Sequence, residues 1–450
     1  MSEKIINRRR FIRKTAAASL ALGLSTGAPG FSAQQGVKPV RLGFVGVGNR
    51  GTGLLRKVLR IEGVEVPAVC DINEKHLTRA IKAAAEMGHN KPEGYSRGPE
   101  DYRRLCDRRD LDGVLTATPW ELHTPVMLAA MEAGKYGATE VPAAVTLDQC
   151  WQLVETSERT GAPCMLLENG CYDSKVMMIM NMIQQGLFGE MLHCEVGYQH
   201  DVRYLGGKEG KIGPGGELLW RGKHAVDRNG SLYPTHQMGP AAWWLDINRS
   251  DRLTYLVSMS TKSLGMNCKI AQMFGAGHPN AKRTYANGDI NTTLIRTEKG
   301  ATVTLYHDTQ TPRPHYDTGR IQGTKGIYMS ALDSRMPDYI YIEGLSPKEH
   351  SWEDTAPYFE QYGHALWKKH GEAAREAGGH GGIDYLTLQQ FILAVRQGVQ
   401  TPIDVYDAAT WSAMAPLSEQ SVAGRSRVVD VPDFTRGRWK EKRQVEVLGV

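Results

Sequence analysis

Gly46, Gly48 and Gly51 stand in the stretch GFVGVGNRG (43–51) with G-x-G-x-x-G spacing. Glycine is common in this chain, so the spacing alone is weak; its context is what gives it chemistry. An apolar run, VRLGFVGV (40–47), ends into the loop, and a helical pattern, GTGLLRKVLRI, leaves it. In that setting Gly46 permits the tight turn, Gly48 lets the backbone approach a pyrophosphate, and Gly51 allows close packing of helix on strand. The helix start adds free N–H groups and a positive end. Asp71 closes the next apolar run, 20 residues beyond Gly51. A carboxylate there accepts hydrogen bonds from a ribose 2′-OH and repels a 2′-phosphate, so the expected cofactor is NAD rather than NADP.

Three further stretches fall where such a cofactor would lie. ATPWELHTP (117–125) follows the third strand-like run; His123 either caps the helix it opens or faces the nicotinamide side. Glu140 in TEVP (139–142) and Asn169 end the fourth and fifth runs. Ligands of parallel sheets bind outside the carboxyl ends of the strands, which is where these side chains point.

These groups need a frame of strands. VRLGFVGV (40–47), VEVPAVCD (64–71), LDGVLTATP (111–119), KYGATEVP (135–142) and APCMLLEN (162–169) read as five strands alternating with helices, a parallel doubly wound sheet. After about residue 175 the rhythm changes. MLHCEVGYQHD, RLTYLVSMS, NTTLIRTEKGATVTLYHD and RIQGTKGIYMS read as strands of an open, mainly antiparallel sheet, with a hairpin turn at TEKG (297–300). Residues 203–232 and 330–380 read as long and irregular, and DYLTLQQFILAVRQG (384–398) as an amphipathic helix. The expected organisation is a leader over 1–36, a dinucleotide-binding Rossmann domain over 37–172, and an α/β domain with an open sheet over 173–450.

The chain of 450 residues carries a net charge of +5 without a Lys/Arg stripe interleaved with aromatics, which argues against a nucleic-acid partner. The basic RGRWKEKR near the C-terminus reads as a solvated tail. Seven cysteines show no CxxC or zinc-ligand spacing and read as buried thiols; no metal is implied. His193 and His200 lie seven apart on a strand, hence on opposite faces, and make poor joint ligands. Arg8, Arg9 and Arg10 precede Phe11 and the short apolar run TAAASLALGLS, the pattern of a twin-arginine export signal, with cleavage expected within 26–36. That run is too short to span a bilayer and no other segment is apolar enough, so the mature chain is expected to have no membrane span. The expected location is periplasmic or cell-surface.

The order of the two halves resembles the glucose–fructose oxidoreductase superfamily, over essentially the whole chain after the leader. Simple dehydrogenases of that superfamily carry Glu-Lys-Pro at the end of the fourth strand, where the lysine moves the hydroxyl proton. Here the triplet is Glu140-Val141-Pro142, and a valine does no acid–base work. YPTHQMGP (233–240), VGYQHD (196–201), LWRGKHAVDRNGSLYPTH (219–236), YHDTQTPRPHY (306–316) and TEVPAAVTLDQCW resemble glycoside hydrolase family 109, whose members are NAD-dependent α-N-acetylgalactosaminidases. The resemblance implies cofactor contacts from Asn49, Arg50, Asp71, the stretch Trp120 to His123, Glu140, Val141 and Asn169. It implies sugar contacts from Tyr198, Arg221, Tyr233, Pro234, Thr235, His236 and Tyr316, with His315 as an alternative to Tyr316.

Most glycosidases place two carboxylates about 5–10 Å apart. No such pair is evident, and a dinucleotide site suggests instead the redox-assisted route: oxidation at the sugar C3, loss of the C2 proton, departure of the C1 oxygen, addition of water and re-reduction. Tyr233 and His236, three apart at a predicted helix start, are the expected proton-transfer residues with Tyr316 (or His315) as partner. The alternative is an exported NAD(P)-dependent sugar oxidoreductase. The expected partners are a small-molecule or glycan substrate and, because an open sheet face commonly buries itself against a second subunit, another copy of the chain.

Overall fold

The structure is a computed structural model that describes residues 38–450 other than Lys208 and Ser334. The export signal and the cleavage stretch lie outside the described residues.

The first half alternates β1 (Val40–Val45), α1 (Asn49–Val58), β2 (Val64–Cys70), α2 (Glu74–Glu86), β3 (Glu93–Tyr95), α3 (Tyr102–Cys106), β4 (Gly113–Thr116), α4 (His123–Glu132), β5 (Tyr136–Thr139), α5 (Leu147–Thr160) and β6 (Cys164–Leu166). The strands form one parallel sheet in the order β3-β2-β1-β4-β5-β6. Leu42, Phe44, Val114 and Leu115 are fully buried, as expected of strands covered on both faces. The sheet has six strands where the sequence suggests five. Glu93–Tyr95 is three residues long, and its exposed Glu93 and Gly94 give no hydrophobic pattern to read. The strands also stop earlier than their apolar runs. Thr118, Glu140 and Asn169 therefore stand past the strand ends, on the carboxyl edge, with Asn169 opening a short 3-10 turn (Asn169–Tyr172).

The second half continues with α6 (Ser174–Gln184), β7 (Met191–Gln199), α7 (Trp220–Asp227), α8 (Thr235–Trp244), β8 (Leu253–Ser260), α9 (Gly265–Phe274), β9 (Ile290–Thr297), β10 (Thr302–Asp308), β11 (Tyr316–Gly323), β12 (Gly326–Met329), β13 (Tyr339–Ile342), β14 (Glu353–Asp354), α10 (Phe359–Tyr362), α11 (Ala365–Ala377), α12 (Ile383–Gln397), α13 (Val405–Ala423) and β15 (Val429–Asp430). Its nine strands run β14-β13-β12-β11-β7-β10-β9-β8-β15. Every neighbouring pair is antiparallel except β10 with β7. α8 lies on β7 and β11, and α13 on β8. On the opposite face of β8 and β9, Tyr255, Met259, Ile290 and Leu294 are exposed.

Two expectations need correction. Residues 203–232 are not wholly irregular: they hold α7 and a bridge between Ile212 and Leu218, steadied by a small apolar cluster of Ile212 and Ala225 with Met266, Ile270 and Tyr285. Residues 330–380 hold β13, β14, α10 and α11. Glycines and short element lengths blur the periodicity in both. The late helices also return to the first sheet. α12 packs on α1 and β1, and α13 packs on α5 and β6.

Candidate active site

The glycine loop is built for close approach. Gly46 adopts φ +80°, and a Cβ on Gly51 would meet the Gly46 carbonyl oxygen at 1.9 Å. A Cβ on Gly48 would meet nothing nearer than the His76 ring at 3.7 Å, so the loop is open on that side. No side chain caps α1 and no acid stands in its first turn, which leaves its leading N–H groups free for phosphate oxygens. Asn49, exposed, opens that helix. Asp71 sits beside the loop: its Oδ2 accepts from the Val47 N–H at 2.9 Å and its Oδ1 from the Asn73 N–H at 2.8 Å. The donor set and the glycine cradle suit a dinucleotide.

Arg50 and Asn169 meet on one buried carboxylate, Asp384 at the start of α12, and Arg50 also holds Glu140. Arg50 donates from Nε to Glu140 Oε1 at 2.6 Å and from Nη1 and Nη2 to Asp384 at 2.8 and 3.0 Å. Asn169 Nδ2 donates to Asp384 Oδ1 at 2.8 Å, and His380 Nδ1 lies 3.1 Å from Oδ2. Burial would raise the Asp384 pKa. The hydrogen bond from His380 and the charge of Arg50 outweigh it and hold the carboxyl far below the usual range. Burial would likewise lower the Arg50 pKa, and Glu140 and Asp384 raise it instead.

Trp120 links this edge to the second half. It lies in a 3-10 turn (Trp120–Leu122) after β4 and stacks on Tyr233, centroids 5.3 Å apart at 18°. Tyr233 Oη lies 2.9 Å from His236 Nε2, and His236 Nδ1 donates to Glu168 Oε1 at 2.9 Å. Glu168 is fully buried; its Oε1 also accepts from the Gly170 N–H, and its Oε2 has no partner among the described residues. Burial pushes the His236 pKa down, the Glu168 charge pushes it up, and the balance lies at about 10. Gly239 lets α8 come this close: a Cβ there would meet Glu168 Cγ at 2.7 Å.

Tyr198, near the end of β7, closes the cluster with its ring 5.0 Å from Tyr233 and 5.5 Å from His236. Its Oη lies 3.1 Å from His200 Nδ1, and His200 stacks on His315 at 4.2 Å. Burial, then the neighbouring Tyr233, raises the Tyr198 pKa. The Arg221 guanidinium lies over the rings of Trp120, Trp220 and Tyr233 at 4.8 to 5.5 Å.

Several expected residues are placed differently. Tyr316 does not join the cluster. In the antiparallel register Asp317 pairs with Tyr198 and Tyr316 with Gln199, so Tyr316 faces the opposite side of the sheet. His315 is the one that approaches Tyr198, at 5.8 Å. His123 does not face a crevice. It is buried, with Nδ1 2.7 Å from the Pro142 carbonyl and Nε2 2.8 Å from that of Thr118, and it fixes the two loops that carry Trp120 and Glu140. Val141 is buried. Pro234 precedes α8 as its cap residue, and Thr235 is fully buried, its hydroxyl without a partner among the described residues. Sequence reasoning missed Glu168 and Asp384. Among the described residues no three His, Cys, Asp or Glu side chains gather as metal ligands.

Residues 172–441 match the model of the glycosyl hydrolase 109 C-terminal domain, and residues 40–167 that of an oxidoreductase family with an NAD-binding Rossmann fold. The chain is 42% identical to a glycosyl hydrolase family 109 protein of Stenotrophomonas maltophilia, covering 98% of both chains. It is 42% identical to an alpha-N-acetylgalactosaminidase of Tannerella forsythia, covering 98% of this chain and 99% of that one. Among solved structures, levoglucosan dehydrogenase in complex with NADH and L-sorbose matches with a TM-score of 0.68 at 20% identity, over 88% of this chain and 100% of that one, a likeness of fold. The first half is thus an NAD-binding Rossmann domain, and the expected fold class holds.

Proposed function

The chain belongs to glycosyl hydrolase family 109, and from that membership we propose that it removes terminal α-linked N-acetylgalactosamine while keeping one NAD bound from turnover to turnover. The activity named for the Tannerella forsythia relative supports the choice of sugar. The observation that carries the reading is the Glu168–His236–Tyr233 chain, set across Trp120 from an NAD edge that has Val141 where a dehydrogenase lysine is expected.

Bound NAD supplies reversible hydride acceptance, so that C3 of the sugar is oxidised early and reduced again at the end. The protein's own part is proton movement. Glu168 accepts the Nδ1–H of His236 and fixes the ring; the charged ring donates its Nε2–H to Tyr233 Oη, and the neutral ring accepts the tyrosine proton on Nε2 instead. That pair is placed to take a proton from O3 or from C2, which a C3 ketone acidifies. Loss of the C2 proton with departure of the C1 oxygen leaves a C1–C2 double bond. Water adds at C1 and the proton returns to C2. Tyr198 and the Arg221–Trp120 face supply apolar and donor surfaces for the ring.

The same cycle accounts for a dinucleotide in an exported protein. Outside the cytoplasm a dehydrogenase consumes its NAD in one turnover, whereas a cycle that returns the hydride needs one molecule. The reading includes export of the folded enzyme by the twin-arginine leader and pairing of two copies through the open sheet face. The test is incubation of the purified protein with 4-nitrophenyl α-N-acetylgalactosaminide without added cofactor. Release of nitrophenol with no NADH accumulating is the expected result. Stoichiometric NADH with an oxidised sugar would favour the oxidoreductase instead.

A further inference from the structure

Next to the Tyr198–Tyr233 cluster lies a recess bounded by Trp120, Tyr198, Arg221, Tyr233, His307 and Lys211. Lys211 comes from the segment between β7 and α7, and its residue is only 6% exposed. Its Nζ donates to Thr309 Oγ1 at 2.8 Å and to Gln310 Oε1 at 3.0 Å. Gln310 must present its oxygen, because its Nε2 is committed to the Asn287 carbonyl at 3.0 Å. An ammonium has three N–H groups, so one is left over.

Among the described residues Lys211 forms no ion pair. Asp201 is taken by Arg203, Asp308 by Arg313, and Asp289 by the backbone N–H groups of Leu264 and Gly265. The hydroxyl of Thr309, which accepts from Lys211, lies 3.4 Å from His307 Nε2 and can donate to it. That arrangement places the ring hydrogen of a neutral His307 on Nδ1, which is buried and has no partner among the described residues. Burial and the Lys211 charge hold the His307 pKa down at about 3, so the ring is neutral at physiological pH. Burial, then the charge of Arg221, lowers the Lys211 pKa to about 7. Below about pH 7, where Lys211 is an ammonium, the residues lining one recess thus include a cation without an ion-pair partner, a histidine whose buried N–H has no acceptor among the described residues, and Arg221.

We propose that Lys211, with His307, is a specificity-determining residue: it holds a hydrogen-bond-accepting substituent of the sugar, uncharged or anionic, and turns away a protonated amine. The inference rests on the glycosidase reading for the identity of the sugar, and there the acetamido carbonyl is the acceptor. A purely structural lysine, pinning β10 to its neighbouring loop, predicts no change in selectivity. The third N–H predicts one.

The experiment titrates N-acetylgalactosamine, galactosamine and galactose into the NAD-loaded protein, read by the fluorescence of Trp120 and Trp220 beside the recess. The wild-type protein should bind N-acetylgalactosamine best and galactosamine least. Lys211→Met should weaken N-acetylgalactosamine at least about tenfold and narrow its lead over galactosamine, with NAD content unchanged. Thr309→Val, close to isosteric, should shift selectivity in the same direction and decides the matter if the lysine variant fails to fold. Retention of both affinity and selectivity in the folded variants would overturn the proposal, as would absence of binding of all three sugars to the wild type. A wild-type protein that binds selectively, loses that selectivity with Lys211→Met and does not hydrolyse the nitrophenyl glycoside would sink the glycosidase reading and support the role of Lys211.

Discussion

Glu168 Oε1 and His236 Nδ1 lie 2.9 Å apart across the two halves of the chain, with the carboxylate wholly buried and the imidazole one-fifth exposed. A carboxylate only accepts, so Nδ1 keeps its proton in this bond whether the ring is charged or neutral. Nε2 is then the nitrogen that works, and it points at Tyr233. This is the orienting logic of carboxylate–imidazole pairs in general, reached here with a glutamate at the start of a 3-10 turn and a histidine in the first turn of α8.

The pair makes stability depend on pH. The His236 pKa in the folded protein, about 10, lies above the ordinary 6.5. Its contribution is therefore complete below about pH 6.5 and is lost as pH rises through about 10. Urea denaturation from pH 6.5 to 10 should show wild-type stability declining across that window. Glu168→Gln should start lower and decline less. Equal slopes for the two proteins would show that the charge coupling is absent.

How much of this was legible depends on sequence separation. The glycine loop and Asp71 could be read because their geometry is local: turn, strand end and helix start lie within some thirty residues. Tyr233 and His236 share a helix start and were legible for the same reason. Glu168 lies in the apolar run MLLEN, and only the arrival of α8, 68 residues later, makes it a partner. Asp384 reads as one polar position on an amphipathic helix until α12 folds back on α1, 334 residues from Arg50. Tyr316 against His315 turns on sheet register, where a shift of one residue changes the face, and no local pattern in RPHY settles that. β3 escaped because three residues with two exposed carry no period.

Asp384 should matter to the fold and to NAD together. It is buried and receives Arg50, Asn169 and His380 at once. Removing one partner of a buried ion pair costs about 3–5 kcal/mol, and here less, because Arg50 is 34% exposed and keeps Glu140. Asp384→Ala should lose stability toward the lower end of that scale and release NAD more readily, since Arg50 lies in the first turn of the helix that follows the glycine loop. Because the folded pKa lies far below the ordinary carboxylate value, the stabilisation is present above about pH 3.8 and fades as pH falls below it. Denaturation at pH 7 and pH 3.5, with nucleotide release measured in parallel, checks both parts. An unchanged protein at pH 7 would show that Arg50 is satisfied by Glu140 alone.

The open face of the second sheet predicts self-association. Met259 and Leu294 lie on the same face of β8 and β9, 66% and 51% exposed, with Tyr255 and Ile290 beside them. Contiguous apolar surface of this kind usually meets a partner. The wild-type chain should sediment as a dimer, and Met259→Glu with Leu294→Glu should sediment as a monomer while keeping its NAD. A monomeric wild type at micromolar concentration would remove the second copy from the account.

The sharpest prediction concerns a single carbon. If the C2 proton leaves and returns during each turnover, hydrolysis in D₂O must leave deuterium at C2 of the released sugar. Direct displacement at C1 leaves C2 untouched. Mass and proton spectra of the product separate the two outcomes. The residues that move the proton should be the ones that matter: His236→Ala should lower kcat about 10²–10⁴-fold, the usual worth of a positioned acid–base group, with the protein folded and NAD retained. Tyr316→Phe should leave the rate near that of the wild type, because Tyr316 faces away from Tyr198. His315→Ala should slow it, because His315 packs on His200 at the pocket wall. Hydrolysis without label at C2 would place the chemistry on two carboxylates, and the buried Glu168 would then be the first residue to test as one of them.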